Sequence, residues 1–220
     1  MRLRAEMANK ILFDIGHPAH VHYFRNVIRQ LELNGKDINI IARDKDVTLK
    51  LLDDYEIDYV SRGTGGLNFI GRILYWFKAV FIIFNTARKI KPDIIVSFAG
   101  TYASHASKFC GVPHICFTDT EAARVAIFTL LPFTKLLITP DCFKASYGKK
   151  HIRFKSLFEL AYLSPEVFSP NENIYSILNI PKNDPYIILR FVSWTATHDV
   201  GERGISKSHK LELVGELSKY

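Results

Sequence analysis

Apolar residues come in short β-prone bursts separated by stretches of helical spacing, beginning with Lys10 to Ile15 and continuing through Val21, Phe24, Val27, Ile28 and Leu31. Alternation of this kind is the signature of stacked βα units and a parallel sheet. The pattern predicts strands at 10–15, 37–42, 57–60, 93–98, 113–118 and 135–139. Helices are predicted near 18–34, 45–54, 68–90, 102–110 and 121–131. Gly35 closes the first helix, Pro92 follows the long third one, and Gly111-Val112-Pro113 marks the entry to the fifth strand. The expected fold class is α/β, a Rossmann-like parallel sheet.

After Leu163 the texture changes to Ser164-Pro165-Glu166, Ser169-Pro170-Asn171 and Pro181-Lys182-Asn183-Asp184-Pro185, which reads as a linker carrying one short helix. A β-prone run, Tyr186 to Val192, a polar loop and an amphipathic helix to Tyr220 follow. One strand and one helix cannot bury a core alone. The expected organisation is an N-terminal Rossmann-like domain over 1–163, a linker over 164–185, and the first βα unit of a truncated second Rossmann-like domain over 186–220.

Composition sharpens this picture in a few places. With 220 residues, 48% of them apolar, the chain can bury a sizeable core. The net charge of +7 is unevenly spread. No acidic residue lies between Asp58 and Asp93, whereas Arg62, Arg72, Lys78, Arg88, Lys89 and Lys91 do, so this block is basic and greasy together. Its longest uncharged run, Ala79 to Ala87, falls well short of the roughly 18 apolar residues of a span, so no transmembrane helix is expected. The run Ile11 to Ile15 is too short for a signal-peptide core, which points to the cytoplasm. Cys110, Cys116 and Cys142 lack Cys-x-x-Cys spacing and suit buried thiols better than disulfides or a metal site. No cofactor, metal or nucleic-acid partner is expected, since no motif for one accompanies the charge.

The candidate chemistry sits where strands hand over to helices. The first strand runs into Gly16-His17-Pro18-Ala19-His20-Val21-His22. Imidazole is the side chain best suited to move a proton near neutral pH. The junction also offers free N–H groups at a helix N-terminus. With Pro18 at the first helical position, His20 lies near the buried face of the helix and His22 points toward solvent. His17 and His20 are the catalytic candidates; capping and packing of the turn is the competing account. Around Gly100, Thr101 and the neighbouring small residues would let a ligand approach the backbone. Asp119 ends the fifth strand at the same sheet edge, where it or Thr120 could instead cap the next helix, with Glu121 as a dipole partner. Arg62-Gly63-Thr64-Gly65-Gly66 lacks a phosphate-loop fingerprint and reads as a mobile loop. The helix from Phe69 to Ile90 reads as a packing helix or as a basic, aromatic attachment to an anionic membrane. Arg190, His198 and Asp199 form a further substrate-contact candidate in the last segment.

Several stretches resemble the family of domain of unknown function 354, which is grouped with GT-B glycosyltransferases and non-hydrolysing UDP-N-acetylglucosamine 2-epimerases. They are Gly16-His17-Pro18-Ala19-His20-Val21-His22, Lys91-Pro92-Asp93, Gly111-Val112-Pro113, Glu159-Leu160-Ala161-Tyr162-Leu163 and Leu189-Arg190 with His198-Asp199. The resemblance implies two Rossmann-like domains with the site between them, the N-terminal one taking the acceptor and the C-terminal one the nucleotide sugar. It implies a histidine base after the first strand, a role that falls on His20 or on His17. Similar epimerases have an aspartate where Gly100 stands, which argues against epimerase chemistry. The expectation is the acceptor-side part of a GT-B-like glycosyltransferase, inactive as a fragment or dependent on a companion C-terminal chain. The alternatives are a noncatalytic remnant or membrane-surface binding module with peripheral membrane contact, and a 2-epimerase-like enzyme.

Overall fold

The computed structural model describes residues 8–66, 68–182, 184–191 and 204–219. Its strands are β1 (Lys10–Ile15), β2 (Asp37–Asp44), β3 (Val60–Thr64), β4 (Ile94–Phe98), β5 (His114–Phe117), β6 (Leu136–Pro140) and β7 (His151–Phe154). The main helices are α1 (Pro18–Leu33), α2 (Thr48–Asp54), α3 (Phe69–Ile90), α4 (Thr101–Cys110) and α5 (Arg124–Leu130), followed by the short α6 (Leu160–Leu163). All strand pairs are parallel, in the order β3-β2-β1-β4-β5-β6-β7. The α/β class and the Rossmann-like sheet expected from the sequence are what the structure shows.

β1 is central and covered on both faces, which is why it reads as an almost continuous apolar run. Its side chains alternate across the sheet. Phe13 and Ile15 pack with Val21, Phe24 and Ile28 of α1 and Leu52 of α2. Leu12 faces the other way, against Ile83 of α3 and Ala103 and Ala106 of α4. Cys116 and Leu137 continue that second layer under Ile127 and Leu130 of α5. On the α1 side, an apolar cavity of about 700 Å³ remains between the strands, α1 and residues 154–161.

Three expectations need correction. The third strand lies at Val60–Thr64, not 57–60, so Arg62, Gly63 and Thr64 are strand rather than mobile loop. No apolar pattern marks this strand, because it is held by a buried ion pair. Arg62 Nε donates to Asp14 Oδ1 at 2.9 Å, and both side chains are 2% exposed. β7 was not anticipated: His-Ile-Arg-Phe is a short edge strand flanked by lysines, which guard its open edge and hide it from pattern reading. Residues 186–191 form no strand, having no partner strand to pair with among the described residues around them.

α3 is long and apolar enough to cross a membrane, with a mean hydropathy of 1.3, which composition did not anticipate. Here it is a layer helix, with Tyr75, Ala79, Ile83 and Ala87 buried along one side. The chain divides into two compact units, Met1–Phe168 and Ser169–Tyr220. The second holds α7 (Ile174–Ile177) and α8 (Lys207–Leu217), and none of its described residues is buried.

Candidate functional site

The strand order reverses direction between β1 and β4, and the crevice outside the carboxyl ends of two such strands is where open α/β sheets bind ligands. The loop after β1 contributes Gly16, His17 and His20. His17 is the N-cap of α1, in extended backbone, and its Nδ1 accepts from the Ala19 N–H at 3.2 Å. His20 folds back so that its Nδ1 accepts from the Gly16 N–H at 3.2 Å. With Nδ1 accepting, the neutral His20 ring carries its proton on Nε2. The two rings lie 5.8 Å apart, and His20 stacks on Phe98 at the end of β4, 4.8 Å away. Burial pushes His20 down to about 3, helped by His17, Lys45 and Arg62. His20 is therefore neutral at ordinary pH and sits in a positive environment.

His22 departs from expectation. It is half-buried between Tyr55 and Tyr162, at ring distances of 6.0 and 5.3 Å, rather than turned to solvent. The segment around α6 folds against α1 and covers that side, with Asn26 Nδ2 donating to Ala161 O at 2.8 Å.

The loop after β4 is built for close approach. Ala99 has φ 48°, a left-handed conformation that L side chains seldom adopt, and its N–H bonds Phe117 O at 2.8 Å. Gly100 follows as the N-cap of α4, and Thr101 opens the helix. A Cβ on Gly100 would lie 2.2 Å from Ser97 Oγ. Beneath the loop, Ser97 Oγ bonds His114 Nε2 at 2.8 Å, and His114 Nδ1 bonds Thr134 Oγ1 at 3.0 Å. This buried chain ties Ser97 to β5 and the turn before β6; burial lowers His114 to about 3 and raises the Cys116 thiol to about 11.

After β5, Thr120 Oγ1 donates to Asp119 Oδ1 at 2.8 Å. The Asp119 carboxylate also acts on Tyr23 of α1, whose hydroxyl is raised well above its usual value by burial first and by this carboxylate second. Neither Asp119 nor Thr120 caps α5, which starts later, at Arg124, without a side-chain cap. Glu121 is likewise no dipole partner: its carboxylate accepts from the Lys144 and Ala145 N–H groups.

His20 thus meets Phe98, and the loops carrying Gly16 and His17 and carrying Gly100 and Thr101 leave the carboxyl ends of adjacent strands at one edge. Tyr23, whose ring is 5.0 Å from Phe98, joins Asp119 to the group. Arg190 is an exposed residue of the second unit, and His198 and Asp199 lie outside the described residues. Sequence reasoning missed Asp14, Arg62, Tyr23 and Phe98. The signal for the first was a carboxylate inside an otherwise apolar strand. Arg62 carries that anchor to the site: its guanidinium also donates to the Tyr75 hydroxyl, lies over the Tyr102 ring and sits beside Gly16.

The profile of the family described as "Protein of unknown function (DUF354)" matches residues 9–207. An uncharacterised protein of Methanocaldococcus jannaschii is 22% identical over 188 residues, covering 82% of this chain and 55% of that protein. Among solved structures, a UDP-GlcNAc 2-epimerase from Methanocaldococcus jannaschii aligns with a TM-score of 0.60 at 14% identity, covering 77% of this chain and 52% of that one. MurG from Acinetobacter baumannii aligns with a TM-score of 0.55 at 18% identity, covering 66% and 45%. These likenesses show a shared Rossmann-like fold. The chain spans about half the length of the relatives it matches.

Proposed function

The chain belongs to the DUF354 family, and from that premise we propose that it is the acceptor-side half of a nucleotide-sugar glycosyltransferase, paired in function with a C-terminal lobe that holds the donor. The observation that carries this reading is the convergence of the histidine loop, the Gly100 loop and Asp119 at the point where the strand order reverses. Solved proteins sharing the fold include a UDP-GlcNAc 2-epimerase bound to UDP-GlcNAc and UDP, which supports a nucleotide-sugar context.

In this reading the acceptor hydroxyl enters beside His17 and His20. His20 is neutral and carries its proton on Nε2, so it serves as a hydrogen-bond donor that holds the acceptor rather than as a base. As the acceptor oxygen bonds the anomeric carbon, the nucleoside diphosphate departs with the bonding electrons. The hydroxyl proton passes to Asp119, the exposed carboxylate at this edge. Epimerase chemistry is disfavoured because Ser97 leaves no room for any side chain at Gly100, where similar epimerases have an aspartate.

The test is UDP release from UDP-GlcNAc by the chain together with the polypeptide encoded immediately downstream. His20→Gln, which keeps a donor but cannot titrate, retains turnover, whereas His20→Ala loses about 100-fold or more. Asp119→Asn loses about 100-fold through the missing proton acceptor. Equal loss in both His20 variants would return the base role to the imidazole. No nucleotide-sugar binding with or without the downstream polypeptide would leave a noncatalytic module.

A further inference from the structure

α3 is buried along one side only. On the opposite side Phe69, Ile70, Ile73, Leu74, Phe77 and Phe81 are all exposed, Phe69 to 77% and both Phe77 and Phe81 to 62%. At 100° per residue they fall within a stripe about 140° wide and roughly 18 Å long. Single exposed apolar residues are ordinary, but a continuous row of six with three phenylalanines marks an interaction surface.

Charge decides among occupants. Residues 59–92 contain no carboxylate. Lys78 borders the stripe, Arg72 lies in the first turn, and Arg88, Lys89 and Lys91 follow at the far end, all exposed. Aromatic residues in a row with cations at the border fit an anionic lipid surface, which takes apolar side chains below its headgroups and attracts cations above them. Because α3 starts directly after β3, the beginning of the stripe, Phe69, Ile70, Ile73 and Leu74, lies toward the carboxyl edge of the sheet, the edge that also carries the histidine loop.

We propose that the exposed stripe of α3, Phe69 to Phe81 with Lys78, docks the protein on membranes bearing anionic headgroups. The proposal stands on the surface alone and does not depend on the reaction assigned above. A bilayer held there would bring a lipid-borne acceptor within reach of the site.

Vesicle sedimentation of the full chain tests it, using phosphatidylcholine alone and an equimolar mixture with phosphatidylglycerol. The chain is expected to pellet with the anionic vesicles at low salt and to be released at high salt, as surface attachment rather than insertion requires. Lys78→Glu weakens partitioning between about five- and thirty-fold, from roughly 1 kcal/mol per charge near the surface. Phe77→Ser with Phe81→Ser abolishes pelleting, while Leu33→Ser, an exposed change on α1, leaves it intact; circular dichroism confirms that each variant is folded. Absence of pelleting with anionic vesicles overturns the proposal. So does pelleting indifferent to the phenylalanine pair, or a dimer in light scattering that the same pair abolishes, which would give the stripe to a second copy of the chain.

Discussion

At Gly100 a single methyl group decides whether the β4–α4 loop can form. The position needs no unusual φ; the constraint is space, because an added Cβ would sit 2.2 Å from Ser97 Oγ and 2.4 Å from Ser97 Cβ. Ser97 cannot yield, being fully buried and tied to His114. Gly100→Ala is therefore expected to destabilise by about 1–3 kcal/mol, the usual cost of overpacking. Ser97→Gly removes both offending atoms, so the double variant should recover much of the loss and the two changes should be strongly non-additive in urea unfolding. Additive effects would mean that the loop, not the contact, is the sensitive feature. The sequence marked Gly100 as a place of close approach but could not say to what. The neighbour that fills the space lies on the preceding strand and meets it only through the left-handed turn at Ala99.

Among the elements, β3 shows where pattern reading stops. A strand held by apolar alternation announces itself, and β1, β4 and β5 were placed to within a residue or so at each end. Val60–Thr64 has no such alternation, and its single deeply buried side chain is an arginine. Only its partner, Asp14 on β1, explains it, and a contact spanning 48 residues leaves no local trace. The pair also ties the element ends together, because the Arg62 guanidinium reaches the Tyr75 hydroxyl of α3 and the Tyr102 ring of α4. Removing one partner of a buried pair leaves an uncompensated charge, so Arg62→Met is expected to cost about 3–5 kcal/mol. Asp14→Leu combined with Arg62→Met replaces both charges by apolar groups and should restore most of that stability. The double variant should still disturb the histidine loop, since Arg62 packs beside Gly16. Chemical denaturation of the two variants separates a pair that stabilises from one that mainly positions; a double variant as weak as the single would show that no apolar substitute fits the site.

For the molecule as a whole, the order of βα units and the edge carrying the chemistry were legible, because burial on both faces of a parallel sheet writes itself into the sequence as short apolar runs. The run 186–191 was not, since among the described residues it has no neighbouring strand to pair with and β-propensity alone makes no strand. Global stability should carry the imprint of two histidines that the fold keeps neutral. In the unfolded chain an imidazole binds a proton below about 6.5. In the folded chain His20 and His114 bind one only near 3, because burial opposes the charge. Between those values the unfolded state holds more protons than the folded state, so stability falls as pH falls, by about 1.4 kcal/mol per pH unit for each ring. Above the unfolded value both states are neutral and the full contribution is present. His22 and His151, lowered by burial first and by a neighbouring arginine second, act in the same direction. Asp37, Asp93 and Glu121 are held below the usual carboxylate range, Asp37 chiefly by the Lys10 side chain and the other two by backbone N–H groups. They stay ionised in both states above about pH 5 and leave that window to the imidazoles. Urea unfolding followed by circular dichroism, in steps from about pH 8 to about pH 5, should therefore show a decline that steepens below about pH 6.5. In His114→Gln the slope should drop by one proton's worth whatever the substitution does to the stability itself. A profile flat across that range would mean that both rings become charged inside the folded protein, and with it the neutral donor role assigned to His20 would fail.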